Sequence, residues 1–158
     1  MPITAASRRE TRQRTAAPDA TEVRAGVDVA SVAAVAQSID RFGTRYLERV
    51  FTALELASCT GPRGPIVESL AARFAAKEAA IKVLRPGTQQ LDWRSIEVCR
   101  ETDGSCSITL SGDAARLARS GGLGNLTVAL SHEGDVAVAV VIALSTTKTK
   151  CTNETKGA

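Results

Sequence analysis

Residues 73–82 read Arg73-Phe74-Ala75-Ala76-Lys77-Glu78-Ala79-Ala80-Ile81-Lys82, three basic side chains and one carboxylate set among alanines. Arg73 and Lys77 are four residues apart and so share one helix face, as do Glu78 and Lys82. An amphipathic helix with one ordinary Glu-to-Lys pair explains this pattern. A helix that holds phosphate groups explains it equally well, and the stretch alone leaves both interpretations open.

The flanking sequence bounds this helix. A loop rich in glycine and proline, Cys59–Pro65, precedes it, and Pro86-Gly87 follows it. Because proline and glycine interrupt helices, we expect one long helix from about Ile66 to Leu84.

Strands and turns surround the long helix in the sequence. Val23, Ala25, Val27 and Val29 alternate with Arg24, Gly26 and Asp28, which predicts a strand with one apolar face. Two hairpins and a short helix are predicted further along: Ser95–Glu101 with Ser105–Leu110 around Asp103-Gly104, a helix over Gly112–Ser120, and Leu126–Ser131 with Val136–Leu144. Antiparallel hairpins combined with segregated helices predict an α+β domain rather than a doubly wound one.

A second helix is expected from Ser31 to about Val50. It carries an apolar stripe of Ile39, Phe42, Tyr46 and Val50, bordered by Arg41, Arg45 and Arg49 at four-residue steps. The arginines are either a solvated edge beside the core or a docking surface for an acidic helix. Thr52 and Glu55, which come next, fit a capping box at the start of a short helix.

Length and composition indicate one globular domain. The chain has 158 residues, of which 44% are hydrophobic and only 3% aromatic, so aliphatic side chains and alanine must fill the core. The net charge of +3 is too small, and the aromatic residues too few, for a dedicated nucleic-acid-binding protein. An acidic partner or a phosphorylated ligand is a better match.

Other features exclude further classes of protein. Four cysteines without paired spacing and a single histidine, His132, argue against a zinc site. No apolar run approaches the roughly 20 residues of a membrane span. Residues 1–20 are predicted to be a disordered tail, 21–145 a single domain and 146–158 a flexible tail. We expect a cytoplasmic protein without a membrane or nucleic-acid partner.

Asp28 and Glu78 together suggest a magnesium site. Magnesium prefers oxygen ligands and is often held by one or two carboxylates together with substrate phosphates. The basic residues of 73–82 would neutralise such phosphates, although sequence spacing alone does not bring the two carboxylates together. Gly26, two residues before Asp28, indicates either a β-bulge or close approach by a ligand.

The order of these motifs resembles the holo-[acyl-carrier-protein] synthase family, the small 4′-phosphopantetheinyl transferases. The likeness runs from about Val23 to Leu144 and rests on five motifs: Gly26-Val27-Asp28-Val29, Arg41-Phe42, Thr52-Ala53-Leu54-Glu55, residues 73–79 and Leu130-Ser131-His132. The resemblance implies an antiparallel sheet packed around a long helix, in the single-domain form of the fold.

The resemblance also implies the reaction. A member of this family transfers 4′-phosphopantetheine from coenzyme A to a serine hydroxyl of an apo acyl carrier protein and releases adenosine 3′,5′-bisphosphate. By motif position, Asp28 and Glu78 match the Mg²⁺ ligands, Glu78 and Lys82 the catalytic residues, and Arg73, Lys77 and His132 residues that line the coenzyme A site. Arg41 matches a carrier-protein contact, which Arg45 and Arg49 extend by spacing only.

The resemblance also covers the oligomeric state, and at two positions this sequence differs from the family's usual motifs. A homotrimer with active sites at the subunit interfaces is implied, and the carrier could serve fatty acid, polyketide or peptide synthesis. Ser31 stands where the family often has a second acid, and Leu84–Gly87 replaces a glycine-rich turn. The alternative function is a catalytically degenerate member that acts as a carrier-protein-binding or assembly subunit, which the presence of both Asp28 and Glu78 disfavours.

Overall fold

The computed structural model describes residues 21–146, so both predicted tails except Thr146 lie outside the described residues. In chain order the elements are β1 (Thr21–Ser31), α1 (Val32–Phe42), α2 (Thr44–Val50), α3 (Ala53–Ser58), β2 (Thr60–Gly61), β3 (Gly64–Pro65), α4 (Val67–Leu84), a 3₁₀ turn (Trp93–Ser95), β4 (Ile96–Arg100), β5 (Cys106–Leu110), α5 (Gly112–Ser120), β6 (Thr127–Glu133) and β7 (Val136–Thr146). The predicted long helix, the two hairpins and the short helix are all confirmed.

One antiparallel sheet organises the molecule. Its five strands lie in the order β1-β7-β6-β5-β4. The first and last strands pair along their full length, from Thr21 opposite Thr146 to Ser31 opposite Val136. Helix α4 lies across one face of this sheet, which confirms the α+β fold with a sheet packed around a long helix. Among the described residues, no helix is both long and apolar enough to cross a membrane.

Helix α4 is buried on nearly every side, and its alanines make this possible. Leu70, Val83 and Leu84 are buried together with six alanines of the helix. Small side chains allow the sheet backbone to approach closely, and the approach is closest at Gly26. A Cβ atom at Gly26 would overlap the carbonyl oxygen of Ala79. The β1–β7 register continues through Gly26 without a bulge, so both sequence interpretations of this glycine were wrong: it makes room for α4.

The apolar face of β1 points away from α4. Val29 is 61% exposed, and Val23 and Val27 are exposed on the same face, whereas Gly26 and Ala30 are buried. Apolar side chains of the neighbouring strand β7 extend this face: Val136, Val140, Ile142 and Leu144. We call these seven side chains of β1 and β7 the outer sheet face.

The helix expected over residues 31–50 is two helices, so that prediction was wrong in one respect. Gly43 adopts φ 55° and ψ −137°, which ends α1 and starts α2 in a new direction. Arg41 therefore lies on α1, whereas Arg45 and Arg49 lie on α2. The regular four-residue spacing in the sequence does not correspond to one continuous arginine edge.

The α1 and α3 N-termini are capped by side chains. The capping box is confirmed, because Thr52 Oγ1 accepts from the Glu55 amide at 3.2 Å and Glu55 Oε2 accepts from the Thr52 amide at 2.8 Å. Ser31 Oγ caps α1 by accepting from the Ala34 amide, and it donates to Asp135 Oδ2 at 2.9 Å. An acid at position 31 would repel Asp135, which explains why serine is suitable here.

Candidate active site

Asp28 and Lys82 meet where α4 crosses the edge strand β1. Lys82 Nζ lies 2.7 Å from Asp28 Oδ1 and donates to the Val27 carbonyl oxygen at 2.6 Å. The sequence suggested Glu78 as the partner of Lys82, but the ion pair forms with Asp28 instead. Lys82 remains 51% exposed and Asp28 20% exposed, so solvent reaches this pair.

Glu78 lies one turn before Lys82 and close to Asp28. Partial burial raises the pKa of the Glu78 carboxyl, and the negative charge of Asp28 raises it further, while Lys82 opposes the shift. The structure therefore brings together the two carboxylates that sequence spacing could not place. We call Asp28, Glu78 and Lys82 the carboxylate site.

The oxygen donors of the carboxylate site fit Mg²⁺. Both carboxylates supply hard oxygen atoms, and a cation placed between them would relieve the repulsion that raises the Glu78 pKa. Within residues 21–146 no cluster of three or more Asp, Glu, His or Cys side chains is placed to hold a metal ion. Two protein carboxylates leave the remaining Mg²⁺ positions to water and substrate oxygens, which is the usual arrangement for this ion.

A second polar site lies beside the N-terminal half of α4. Arg73, Arg100 and His132 line a cavity of about 180 Å³, together with Ser69, Ser131 and Cys106. Arg73 is 5% exposed, and its guanidinium donates to the Ser69 carbonyl and to Ser58 Oγ. Its Nε is buried and has no hydrogen-bond partner. Because two guanidinium groups, those of Arg73 and Arg100, line it, this cavity suits an anionic ligand. We call it the arginine cavity.

Arg100 is a site residue that the sequence interpretation missed. It lies at the end of β4, two and four residues after the buried Val98 and Ile96. Side chains alternate along a strand, so this period of two places Arg100 on the face covered by α4. That alternation was the available signal, but no motif drew attention to it.

Lys77 is not part of either site, contrary to the prediction that it lines the coenzyme A site. Its side chain is 0% exposed, and Nζ lies 2.9 Å from Glu55 Oε2. The same ammonium donates to the backbone carbonyl oxygens of Trp93 and Ile96. Burial lowers the pKa of Lys77, while the charge of Glu55 opposes the shift. With three donors already used, Lys77 joins elements of the core and is unavailable to a phosphate.

Glu55 has a larger structural role than the capping box indicated. Besides capping α3 and pairing with Lys77, its Oε1 accepts from the Val98 amide at 3.0 Å. The side chain is fully buried and thus joins α3, α4 and β4. The Thr-x-x-Glu spacing identified the cap, whereas the partners from α4 and β4 are far apart in sequence.

The three predicted docking arginines are all exposed but lie in different surroundings. The Arg41 guanidinium stacks over the Phe42 ring at 5.1 Å. Arg45 and Arg49 line a groove of about 1,070 Å³ between α2 and residues 89–94, and Ile81 of α4 lies in its wall. Ile81 is adjacent to Lys82 in sequence, so the groove reaches the helix that carries the carboxylate site.

The two sites lie on opposite flanks of α4. At about 100° per residue, Arg73 and Lys82 project roughly 180° apart around the helix axis. The sheet separates the sites too, because Asp28 is on the edge strand β1 and Arg100 is on the opposite edge strand β4. A single ligand that touched both sites of one chain would have to pass around α4.

Comparison with known proteins identifies close relatives. The family model of the 4′-phosphopantetheinyl transferase superfamily matches residues 24–141. A holo-[acyl-carrier-protein] synthase of Moorella thermoacetica is 42% identical over 120 residues, covering 76% of this chain and 92% of that protein. The corresponding protein of Desulforudis audaxviator is 41% identical over 119 residues, covering 75% and 90%.

Solved structures agree with the sequence relatives. The Helicobacter pylori holo-[acyl-carrier-protein] synthase in complex with coenzyme A superimposes with a TM-score of 0.65 at 28% identity, covering 75% of this chain and 98% of that one. The coenzyme A complex of the Chronobacterium ammoniagenes protein gives a TM-score of 0.67 at 31% identity, covering 80% and 98%.

Proposed function

The chain belongs to the 4′-phosphopantetheinyl transferase superfamily, as an enzyme of the holo-[acyl-carrier-protein] synthase type, and on this premise we propose its reaction. It transfers 4′-phosphopantetheine from coenzyme A to a serine hydroxyl of an apo acyl carrier protein. The serine hydroxyl loses its proton to water, and its oxygen bonds to the phosphorus next to pantetheine. The bond to the second phosphate breaks, and adenosine 3′,5′-bisphosphate leaves. The convergence of Asp28, Glu78 and Lys82 at one exposed crossing carries this proposal.

Asp28 and Glu78 would hold Mg²⁺ against the diphosphate of coenzyme A. When bound, the ion neutralises charge that develops on phosphoryl oxygens and fixes their orientation. Lys82 supplies a flexible ammonium at the same place, and it stabilises the leaving phosphate or relays a proton. Its exposed position on Asp28 leaves it free to reach a substrate.

The arginine cavity would bind the phosphate groups at the nucleotide end of coenzyme A. Arg73 and Arg100 supply positive charge from α4 and β4, and His132 completes the lining from β6. Charge-assisted hydrogen bonds to phosphate are the strong ones, so this cavity would supply much of the binding free energy.

The carrier protein would dock on the exposed arginines. Arg41, Arg45 and Arg49 face solvent, and Arg45 and Arg49 line the groove that reaches α4 at Ile81. Long-range attraction to an acidic carrier helix would speed association and weaken at high salt. The proposal also includes a cytoplasmic location and a carrier protein of fatty acid biosynthesis or of another carrier-dependent pathway.

A homotrimer with shared active sites accounts for two features of the single chain. The outer sheet face exposes seven large aliphatic side chains, more than a monomer usually leaves in one patch. The arginine cavity and the carboxylate site lie on opposite flanks of α4. If neighbouring copies pack through the outer sheet face, the cavity of one copy and the carboxylates of another can flank the same coenzyme.

A mass measurement tests the proposed reaction. The protein is mixed with coenzyme A, Mg²⁺ and apo carriers from fatty acid, polyketide and peptide synthesis, and each carrier is weighed intact. We expect one carrier to gain the mass of phosphopantetheine and a serine-to-alanine carrier to gain none. Glu78→Gln and Asp28→Asn should each abolish the gain while the circular dichroism spectrum stays unchanged. Carrier binding without any mass gain would favour the degenerate alternative.

A further inference from the structure

Lys82 binds one carboxylate oxygen of Asp28, a residue proposed above to hold Mg²⁺. Its Nζ lies 2.7 Å from Oδ1 of that carboxylate and 2.6 Å from the Val27 carbonyl oxygen. Two hydrogen bonds to one edge of β1 hold the ammonium beside the carboxylate pair. The positive charge of Lys82 thus already compensates Asp28.

From these contacts we propose that Lys82 restricts metal binding until coenzyme A arrives, a role that rests on the proposed function above. In the free enzyme the ammonium competes with a divalent cation for Asp28. The diphosphate of coenzyme A offers Lys82 a more negative partner, and moving to it leaves the Asp28 carboxylate to the metal. Coenzyme and metal therefore bind with positive coupling, and Lys82 is the positioning residue that couples them.

The strength of the Lys82 contact suits this role. The side chain is 51% exposed, and exposed ion pairs contribute at most about 1 kcal/mol, so the contact can be broken by a competing ligand. A fully buried pair such as Lys77 with Glu55 could not exchange partners in this way. The long, unbranched lysine chain allows the ammonium to move without a change in α4.

The rest of the local surface supports a specific function for Lys82. Arg85, one turn further along α4, pairs with Glu22 of the same strand at 3.4 Å and does not contact either carboxylate of the site. The two basic side chains thus have similar exposure and the same neighbouring strand, but of the two only Lys82 contacts Asp28. Arg85 is therefore a matched control for a change in local charge.

Metal affinity measured without turnover tests the proposal. Mn²⁺ binding to the full chain is followed by electron paramagnetic resonance or calorimetry, with and without coenzyme A, and without any carrier protein. We expect Lys82→Met to bind Mn²⁺ alone about three- to fivefold more tightly than the parent chain, as the loss of a competing exposed pair implies. Coenzyme A should increase Mn²⁺ affinity strongly in the parent chain and less in Lys82→Met, while Arg85→Met should behave like the parent.

The outcomes distinguish the proposed competition between Lys82 and the metal from the proposed transfer reaction. Unchanged or weaker Mn²⁺ binding by Lys82→Met overturns the competition, even if the parent enzyme transfers phosphopantetheine. Undiminished coupling between coenzyme A and Mn²⁺ in that variant also overturns it. If no variant binds Mn²⁺ in the presence of coenzyme A, the metal site itself is wrong and the role of Lys82 falls with it, whereas the carrier mass assay still reports separately on transfer.

Discussion

At the scale of single residues, sequence spacing predicted which side chains share a helix face but not what surrounds each side chain. Arg73 and Lys77 share the four-residue spacing that suggested a common role, yet one lines a cavity and the other is sealed in the core. Helical periodicity indicates which residues share a face, but it does not reveal what packs against that face. Only the tertiary structure shows that Glu55 and two backbone carbonyls already surround Lys77.

The Lys77–Glu55 pair leads to a prediction about stability. Lys77→Met should lower the free energy of unfolding by about 3–5 kcal/mol, because it leaves the Glu55 carboxylate buried without its counter-charge. Urea denaturation measures the change. Lys82→Met removes an exposed lysine from the same helix and should cost no more than about 1 kcal/mol. A loss in Lys77→Met no larger than that in Lys82→Met would argue against charge burial as the cause.

Arg100 leads to a prediction about coenzyme binding. Arg100→Gln should raise the KM for coenzyme A about tenfold and leave kcat within about twofold, since charge-assisted hydrogen bonds contribute about 1.5–3 kcal/mol. Steady-state kinetics at saturating carrier protein measure both constants. Arg119→Gln changes an exposed arginine of α5 and serves as the control. Equal loss in both variants would mean that overall charge, and not this cavity, attracts the coenzyme.

At the scale of elements, the sequence predicted those helix and strand boundaries that depend on neighbouring residues. Proline, glycine and alternating side chains correctly located α4, both hairpins and α5. The break at Gly43 was missed, because a glycine inside an amphipathic pattern is compatible with a continuous helix until its backbone angles are known. Carboxylate chemistry and then the motif resemblance pointed to Asp28 and Glu78, although their proximity depends on how α4 crosses β1. Arg100 and the burial of Lys77 depend on long-range packing and were not predicted.

The crossing of α4 over β1 can be tested at Gly26. Gly26→Ala should destabilise the protein by about 1–3 kcal/mol, because the added methyl group would overlap the Ala79 carbonyl and push α4 outward. The same variant should weaken Mn²⁺ binding, since Asp28 and Glu78 are carried by the two elements that would separate. Gly124→Ala is the control, because a methyl group there meets only the Leu144 carbonyl oxygen at 3.8 Å. Equal stability of the two variants would contradict this packing.

At the scale of the whole molecule, the most informative feature is an apolar surface in an unexpected place. The valines of β1 predicted a strand with one apolar face, and the usual expectation is that such a face covers the core. Here α4 covers the glycine and aspartate side of the strand, and the valines face outward. The amino-acid pattern alone could not show which face of the strand α4 would cover.

The outer sheet face yields a prediction about assembly. Ile142→Glu should convert the proposed homotrimer into single chains and abolish transfer, because a charge placed in an apolar interface between copies is strongly unfavourable. Sedimentation velocity measures the mass. Leu54→Glu places the same charge on an exposed leucine of α3 and should leave the trimer intact. Mixing Arg73→Gln and Glu78→Gln subunits should restore part of the activity if each site combines two copies, and failure to restore it would place the whole site within one chain.

The pairing of β1 with β7 has a consequence for synthesis on the ribosome. Thr21 lies opposite Thr146, so the edge strand that carries Asp28 has its only described neighbour at the far end of the folded region. A nascent chain that lacks β7 leaves β1 without a described strand partner, so that only its contacts with α4 hold it. We therefore expect the carboxylate site to assemble only after translation has passed residue 146. Until then β1 and the alanine-rich helix α4 are only partly folded, and chaperones can bind their exposed apolar surface.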